Sequence, residues 1–240
     1  MMICLDAPKW GLALELYGSP FVLAQKWKYS WYRQHFLERP YRHVVIVDHG
    51  AYELGRPVDF SEYIRVIEDL KRKYLQVIVL LPDVLQNPRE SLYLTAQFMD
   101  EYSPVKNMLT MWVCHSLSPA EEIRNAEKFG SEILGIPIWI HRQYNRVRYV
   151  QKLLGKWTGL IHLLGLDDPR ELLCYSNCRV KSVDTSLPFT LAKHGVRLKN
   201  MPPKARYERC RDDDTVTSDT IYLAYRNIID LKEIAGAYPR

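Results

Sequence analysis

Three aspartates stand where apolar runs of this chain come to an end: Asp48 in VIVDHGAYE, Asp83 in LLPDVLQNP and Asp184 in SVDTSLP. Burying a carboxylate at a strand end is costly without a partner, so each is either paired structurally or used chemically. Local structure offers an explanation for two of them. Asp48 precedes His49-Gly50 and fits a turn, while Asp83 lies upstream of Asn87-Pro88 and fits a helix cap. Three such residues at the ends of three separate strands are harder to assign to turns and caps alone. Two histidines accompany them: His115 closes MWVCH and reads as a strand-end loop residue, and His162, inside HLLGL, reads as a satisfied core histidine.

The elements that must position these residues alternate along the chain. Apolar runs HVVIVD (43–48), QVIVLLPDV (76–84), MLTMWVCH (108–115), ILGIPIWI (133–140), GLIHLLGL (159–166) and VKSVDTS (180–186) are separated by helical patterns, with FVLA (21–24) a weaker strand ahead of the series. DDPRELLCY reads as a helix with proline near its start, and IYLAYRNIIDLKEIAGA as a terminal amphipathic helix. SPAEEIRNAEKFG carries a capping-box pattern, Ser118 followed three residues later by Glu121. Near-continuous apolar strands alternating with helices indicate parallel strands covered on both faces. Seven or eight such units suit an α/β (β/α)8 TIM-type barrel, a single domain over residues 1–240, better than the alternative of an open doubly wound sheet. Its active site would then lie at the C-terminal ends of the strands, where the three aspartates fall. No GxGxxG or GxxxxGK[ST] follows any strand, which disfavours nucleotide cofactors of those kinds.

Composition narrows the class further. The chain has 240 residues, 47% hydrophobic and 25% charged, as in ordinary globular proteins, so neither disorder nor a fibrous repeat is suggested. No stretch approaches the roughly 20 apolar residues of a membrane span, and MMICLDAPKWG lacks signal-peptide character, so a cytoplasmic protein is expected. The five cysteines never form a CxxC pair, which argues against a disulfide framework and a zinc ribbon. The net charge of +5 is modest, but its distribution is not even. Residues 193–211 hold seven Lys or Arg against the single Glu208, and 142–156 hold five with no acid. Either block fits a solvated face or loop as well as a polyanion contact. Residues 25–43 interleave Trp27, Tyr29, Trp31, Tyr32 and Tyr41 with basic side chains, a pattern for strand binding by stacking and charge, or for an amphipathic helix with aromatic core contacts.

Taken in order, these motifs resemble the tRNA-guanine transglycosylase superfamily, including its phage and bacterial relatives that place 7-deazaguanines in DNA. The similarity is densest in HLLGLDDPRELLCYSNCRVKSVDTSLP, where Gly165, Pro169, Asp184 and Pro188 fall in register, and it extends more loosely over residues 43–190. The resemblance implies that Asp184 is the nucleophile and Asp48 the second catalytic aspartate, with Tyr52 stacking on the base. It implies that Asp83 reads the purine edge and that Gly135, Ile136 and Gly165 face the bound base. Two departures stand out. Only His194 and Cys210 lie where the tRNA enzymes carry a zinc site, so neither a structural zinc subdomain nor any cofactor is expected. DHGAYE also replaces the family's serine-glycine-glycine-phenylalanine-glutamine run.

The chemistry implied is exchange of guanine for a 7-deazaguanine such as preQ0 through a covalent aspartyl-glycosyl intermediate. The missing zinc motif and short chain favour DNA over tRNA as the polymer. A nucleosidase or deoxyribosyltransferase acting on free nucleosides, and an inactive nucleic-acid-binding barrel, are the alternatives. A basic loop at 193–215, following the nucleophile strand, would supply phosphate contacts through Arg197, Lys199, Lys204 and Arg206.

Overall fold

A computed structural model describes residues 1–38, 44–102, 108–175, 179–202 and 205–236. Eight strands close into a parallel barrel in sequence order: β1 (Met2–Leu5), β2 (Ser19–Leu23), β3 (Val44–Asp48), β4 (Gln76–Leu80), β5 (Met108–Val113), β6 (Ile133–Pro137), β7 (Leu160–Leu164) and β8 (Val180–Thr185). With helices following the strands, the fold is a (β/α)8 barrel of the TIM type. The β-branched runs form these strands because both faces are covered: Val45, Ile46, Val47, Val77 and Val79 are all buried. Residues group into two compact units, Met1–Ser19 with His162–Arg240, and Pro20–Ile161.

In the unit Pro20–Ile161 the strand ends are tied down by side chains from the following helices. The Tyr63 hydroxyl, on the helix Phe60–Lys71, shares its one proton between the carbonyls of Val47 at 2.8 Å and Leu80 at 2.9 Å, pinning the ends of β3 and β4. On the helix Pro119–Lys128, the buried Glu122 carboxylate accepts from Trp112 Nε1 (2.6 Å) and from the backbone N–H groups of His115 (2.9 Å) and Ser116 (2.6 Å). Three donors on one carboxylate are what its burial requires. Arg146, at the start of the helix Arg146–Leu154, is also buried and donates to the Ile136 carbonyl at 3.2 Å.

In the other unit β1 pairs with β8 in the register Cys4↔Asp184, and the Asp6 N–H continues the ladder to the Thr185 carbonyl. The C-terminal helix Ser218–Ile234 is fixed by Asn227, which is fully buried. Its Oδ1 accepts from the Leu198 N–H at 2.7 Å, and its Nδ2 donates to the carbonyls of Pro188 (3.2 Å) and Val196 (3.1 Å).

Several sequence expectations need correction. β1 was not anticipated, because MICL is too short and uniformly apolar to carry a period. The run ILGIPIWI divides at Pro137, and residues 138–143 form the helix Ile138–Gln143; an apolar run cannot by itself separate a buried strand from a helix that also buries Ile140. DDPRELLCY forms a 3-10 helix, Pro169–Tyr175. The capping box at Ser118 does not close: its side chain makes no cap bond, and Glu121 accepts from Ser116 Oγ at 3.0 Å instead. Among the described residues no helix is long and apolar enough to cross a membrane.

Candidate active site

Asp184 sits one residue from the end of β8, and its carboxylate is held from one side only. Oδ1 accepts from His162 Nε2 at 3.0 Å and from the Gly165 N–H at 3.1 Å. Gly165 follows β7 and has φ of 75°, a left-handed conformation that a side chain would strain and that turns its N–H towards the carboxylate. Among the described residues Oδ2 has no partner, and the Asp184 side chain keeps 14% exposure. The His162 ring is completed by Ser182 Oγ at 2.7 Å from Nδ1. His162 is thus a satisfied core histidine, and its partner is the candidate nucleophile. Nearby Cys4 is kept as a thiol, since burial, with the charges of Asp184 and Glu15 added, raises its pKa well above the ordinary value.

Serine, imidazole and carboxylate in a row are also the parts of a hydrolase triad. Their order along the strand argues against that use. Ser182 and Asp184 share one face of β8, two residues apart, but Ser182 lies on the inner side at 6% exposure and Asp184 nearer the strand end. The end that meets solvent is the carboxylate.

In the unit Pro20–Ile161, the residues after β3, β4 and β5 form a second polar cluster. Asp83 is buried between two imidazoles, with His49 Nε2 2.9 Å from Oδ1 and His115 Nε2 3.4 Å from Oδ2. Neither ring makes an aligned hydrogen bond to a described residue. Burial opposes charge on His49, but the adjacent Asp83, with Asp48 adding to it, outweighs that and raises its pKa. For His115 burial prevails over Asp83 and Glu122, and its pKa is lowered. One carboxylate therefore has a histidine that readily holds a proton on one side and one that resists it on the other. The helix-cap reading of Asp83 is replaced: Asn87 caps the helix Pro88–Glu101, its side chain accepting from the Glu90 N–H at 3.2 Å. His115 is a strand-end loop residue, two positions past β5, and is buried as part of this cluster. Among the described residues no group of His, Cys, Asp or Glu is disposed to hold a metal ion.

Asp48 ends β3, and its Oδ1 accepts from the Gly50 N–H at 2.7 Å, so the turn reading holds for one of its oxygens. Tyr52 lies in the short helix Ala51–Leu54 with its ring exposed. Gly135 and Ile136 are buried in β6, and their carbonyls already accept from the Cys114 N–H and from Arg146.

The basic segments divide. Arg197 forms a two-pronged ion pair with Asp230 at 3.0 and 3.2 Å, and Lys199 reaches Asp230 at 3.1 Å and Glu233 at 2.7 Å. Lys193 pairs with Asp214, Arg211 with Glu208, and Arg209 with Asp6 just beyond β1. Arg206 is exposed and has no ion-pair partner among the described residues, and Lys204 lies outside them. In the aromatic stretch, Trp27 and Tyr32 are core, bonded to Asp69 and to the Leu23 N–H, whereas Tyr29 and Trp31 stack on one another at 5.9 Å. Tyr41 lies outside the described residues.

Sequence reasoning missed His49, Ser182 and Asp6 as members of these clusters. Ser182 was within reach, since a period of two puts it on the face of Asp184. Nothing local marks His49, and Asp6 was hidden with its strand. No protein-family model matches this chain, and no curated protein matches it either.

Proposed function

We propose that this barrel is a base-exchanging transglycosylase that swaps guanine in DNA for a 7-deazaguanine. The observation that carries the reading is Asp184: a strand-end carboxylate with Oδ1 fixed by two donors and, among the described residues, Oδ2 unengaged, the disposition of a nucleophile rather than of a structural ion pair. In the proposed reaction Oδ2 attacks C1′ as the C1′–N9 bond breaks, the bonding pair leaves with N9, and the departing guanine takes a proton. The incoming 7-deazaguanine gives up its N9 proton, attacks C1′ and releases the carboxylate. No oxidant, metal or activated donor is needed. The two inversions retain configuration, as in retaining glycosidases.

The remaining roles follow from side-chain chemistry. Asp48 is assigned the proton gained by the departing base and given up by the incoming one. Asp83, whose two oxygens keep acceptor capacity beyond the two imidazole contacts, would read the adjacent N–H donors of a guanine edge and reject adenine. Tyr52, with its exposed ring, would stack on the base. A paired base must leave the duplex to be exchanged.

A second reading, turnover of free nucleosides, is favoured by one observation: Arg197 and Lys199 are already neutralised by Asp230 and Glu233. Labelled guanine and preQ0 exchange, measured side by side into DNA, tRNA and free nucleosides, tests both. Exchange into DNA that is abolished by Asp184→Asn supports the proposal. Incorporation into tRNA alone replaces the polymer, turnover of nucleosides alone favours the second reading, and wild-type exchange by Asp184→Asn overturns the mechanism.

A further inference from the structure

The geometry points to His162 as a positioning residue that, backed by Ser182, dedicates a single oxygen of Asp184 to attack. This inference rests on the reading of Asp184 as the attacking group. An ionised carboxylate only accepts hydrogen bonds, so the 3.0 Å contact requires a proton on His162 Nε2, directed at Oδ1. The Ser182 hydroxyl at Nδ1, whichever of the two donates, fixes the rotation of the ring. Because His162 is fully buried in β7 and Ser182 nearly so in β8, neither touches the substrate. Their effect passes through the carboxylate.

Two donors on one oxygen have two consequences. They orient the carboxyl plane, and they occupy Oδ1, which leaves Oδ2 as the oxygen open to C1′ among the described residues. Oδ1 then behaves as the anchored end throughout the double displacement. Gly165 supplies the second donor through backbone, so the side-chain half of the arrangement can be removed separately.

The test compares His162→Gln, His162→Leu and Ser182→Ala in the full chain. The readouts are steady-state exchange, the rate of Asp184 adduct formation in an acid-quenched single turnover read by mass spectrometry, and the denaturation midpoint. Glutamine can set an amide N–H where Nε2 stands, and leucine cannot. His162→Gln is expected to keep kcat within about tenfold of wild type, and His162→Leu to lose about a hundredfold in kcat and adduct rate with KM little changed, the scale for a misplaced reacting group. Ser182→Ala should fall between them. Equal loss in the Gln and Leu variants, or a loss that follows the denaturation midpoint, would make His162 a packing residue and overturn the inference. So would an adduct rate in His162→Leu close to wild type, while leaving Asp184 as nucleophile. If wild-type protein forms no adduct at Asp184 with DNA, tRNA or nucleoside, the reading of the nucleophile fails and the inference with it.

Discussion

His49 Nε2 approaches one oxygen of Asp83 at 2.9 Å while His115 Nε2 approaches the other at 3.4 Å, and the two imidazoles are shifted in opposite directions. Asp83 and Asp184 thus differ in kind. Among the described residues the first is contacted on both oxygens and the second on one.

The histidine pair sets a pH dependence of stability. His49, with its pKa raised above 6.5, contributes stability that is present below that value and is lost as pH rises through its folded pKa. His115, lowered from 6.5, acts the other way, and its contribution is lost as pH falls below the ordinary value. Urea denaturation between about pH 5 and 8 should give a maximum in midstream. His49→Gln should flatten the alkaline limb and His115→Gln the acid limb; identical profiles for the two variants would contradict the assignment.

Asp83→Asn should cost about 1–3 kcal/mol, because His49 loses the carboxylate that offsets its burial and its pKa should fall. Under the proposed function the same variant loses discrimination of guanine from adenine. A stable variant with unchanged guanine affinity would return Asp83 to a purely structural role.

Asn227→Leu should be among the more destabilising single changes, at about 3 kcal/mol, since it strands one N–H and two carbonyls that Asn227 satisfies in the core. Chemical denaturation measures this directly. Limited proteolysis should also then cut near Val196–Leu198, and protection equal to wild type would refute the staple.

Under the proposed function, Arg206→Ala should reduce the slope of log affinity for nucleic acid against log salt by about 0.7–0.9, the value for one phosphate contact. Arg197→Gln should leave the slope nearly unchanged and lower thermal stability, as its charge serves Asp230. A slope change for Arg197 equal to that of Arg206 would show that the ion pair opens to receive phosphate.

Gly165→Ala should cost about 1 kcal/mol in stability, because alanine at this positive φ is strained, and under the proposed function it should impair exchange more than that figure suggests by shifting the N–H that holds Asp184. Equal activity with lowered stability would separate the turn from the chemistry.

The barrel was legible in the sequence because parallel strands buried on both faces must be written as apolar runs, and helices between them as amphipathic patterns. The strand-end positions of Asp48 and Asp184 followed from the same pattern, whereas β4 ends at Leu80 and leaves Asp83 in the loop beyond it. Partnership was not legible. Nothing near His49 or His115 states that both rings meet Asp83, since those contacts join the ends of three strands. The basic run 193–211 looked uncompensated because its acids lie elsewhere in the chain: Asp6 for Arg209, Asp214 for Lys193, and Asp230 and Glu233 for Arg197 and Lys199. Local composition determines which residues are buried, because burial follows from period and polarity. Which charge remains free, and which oxygen of a carboxylate remains open, depends on side chains brought together from distant positions, and only the tertiary structure decides it.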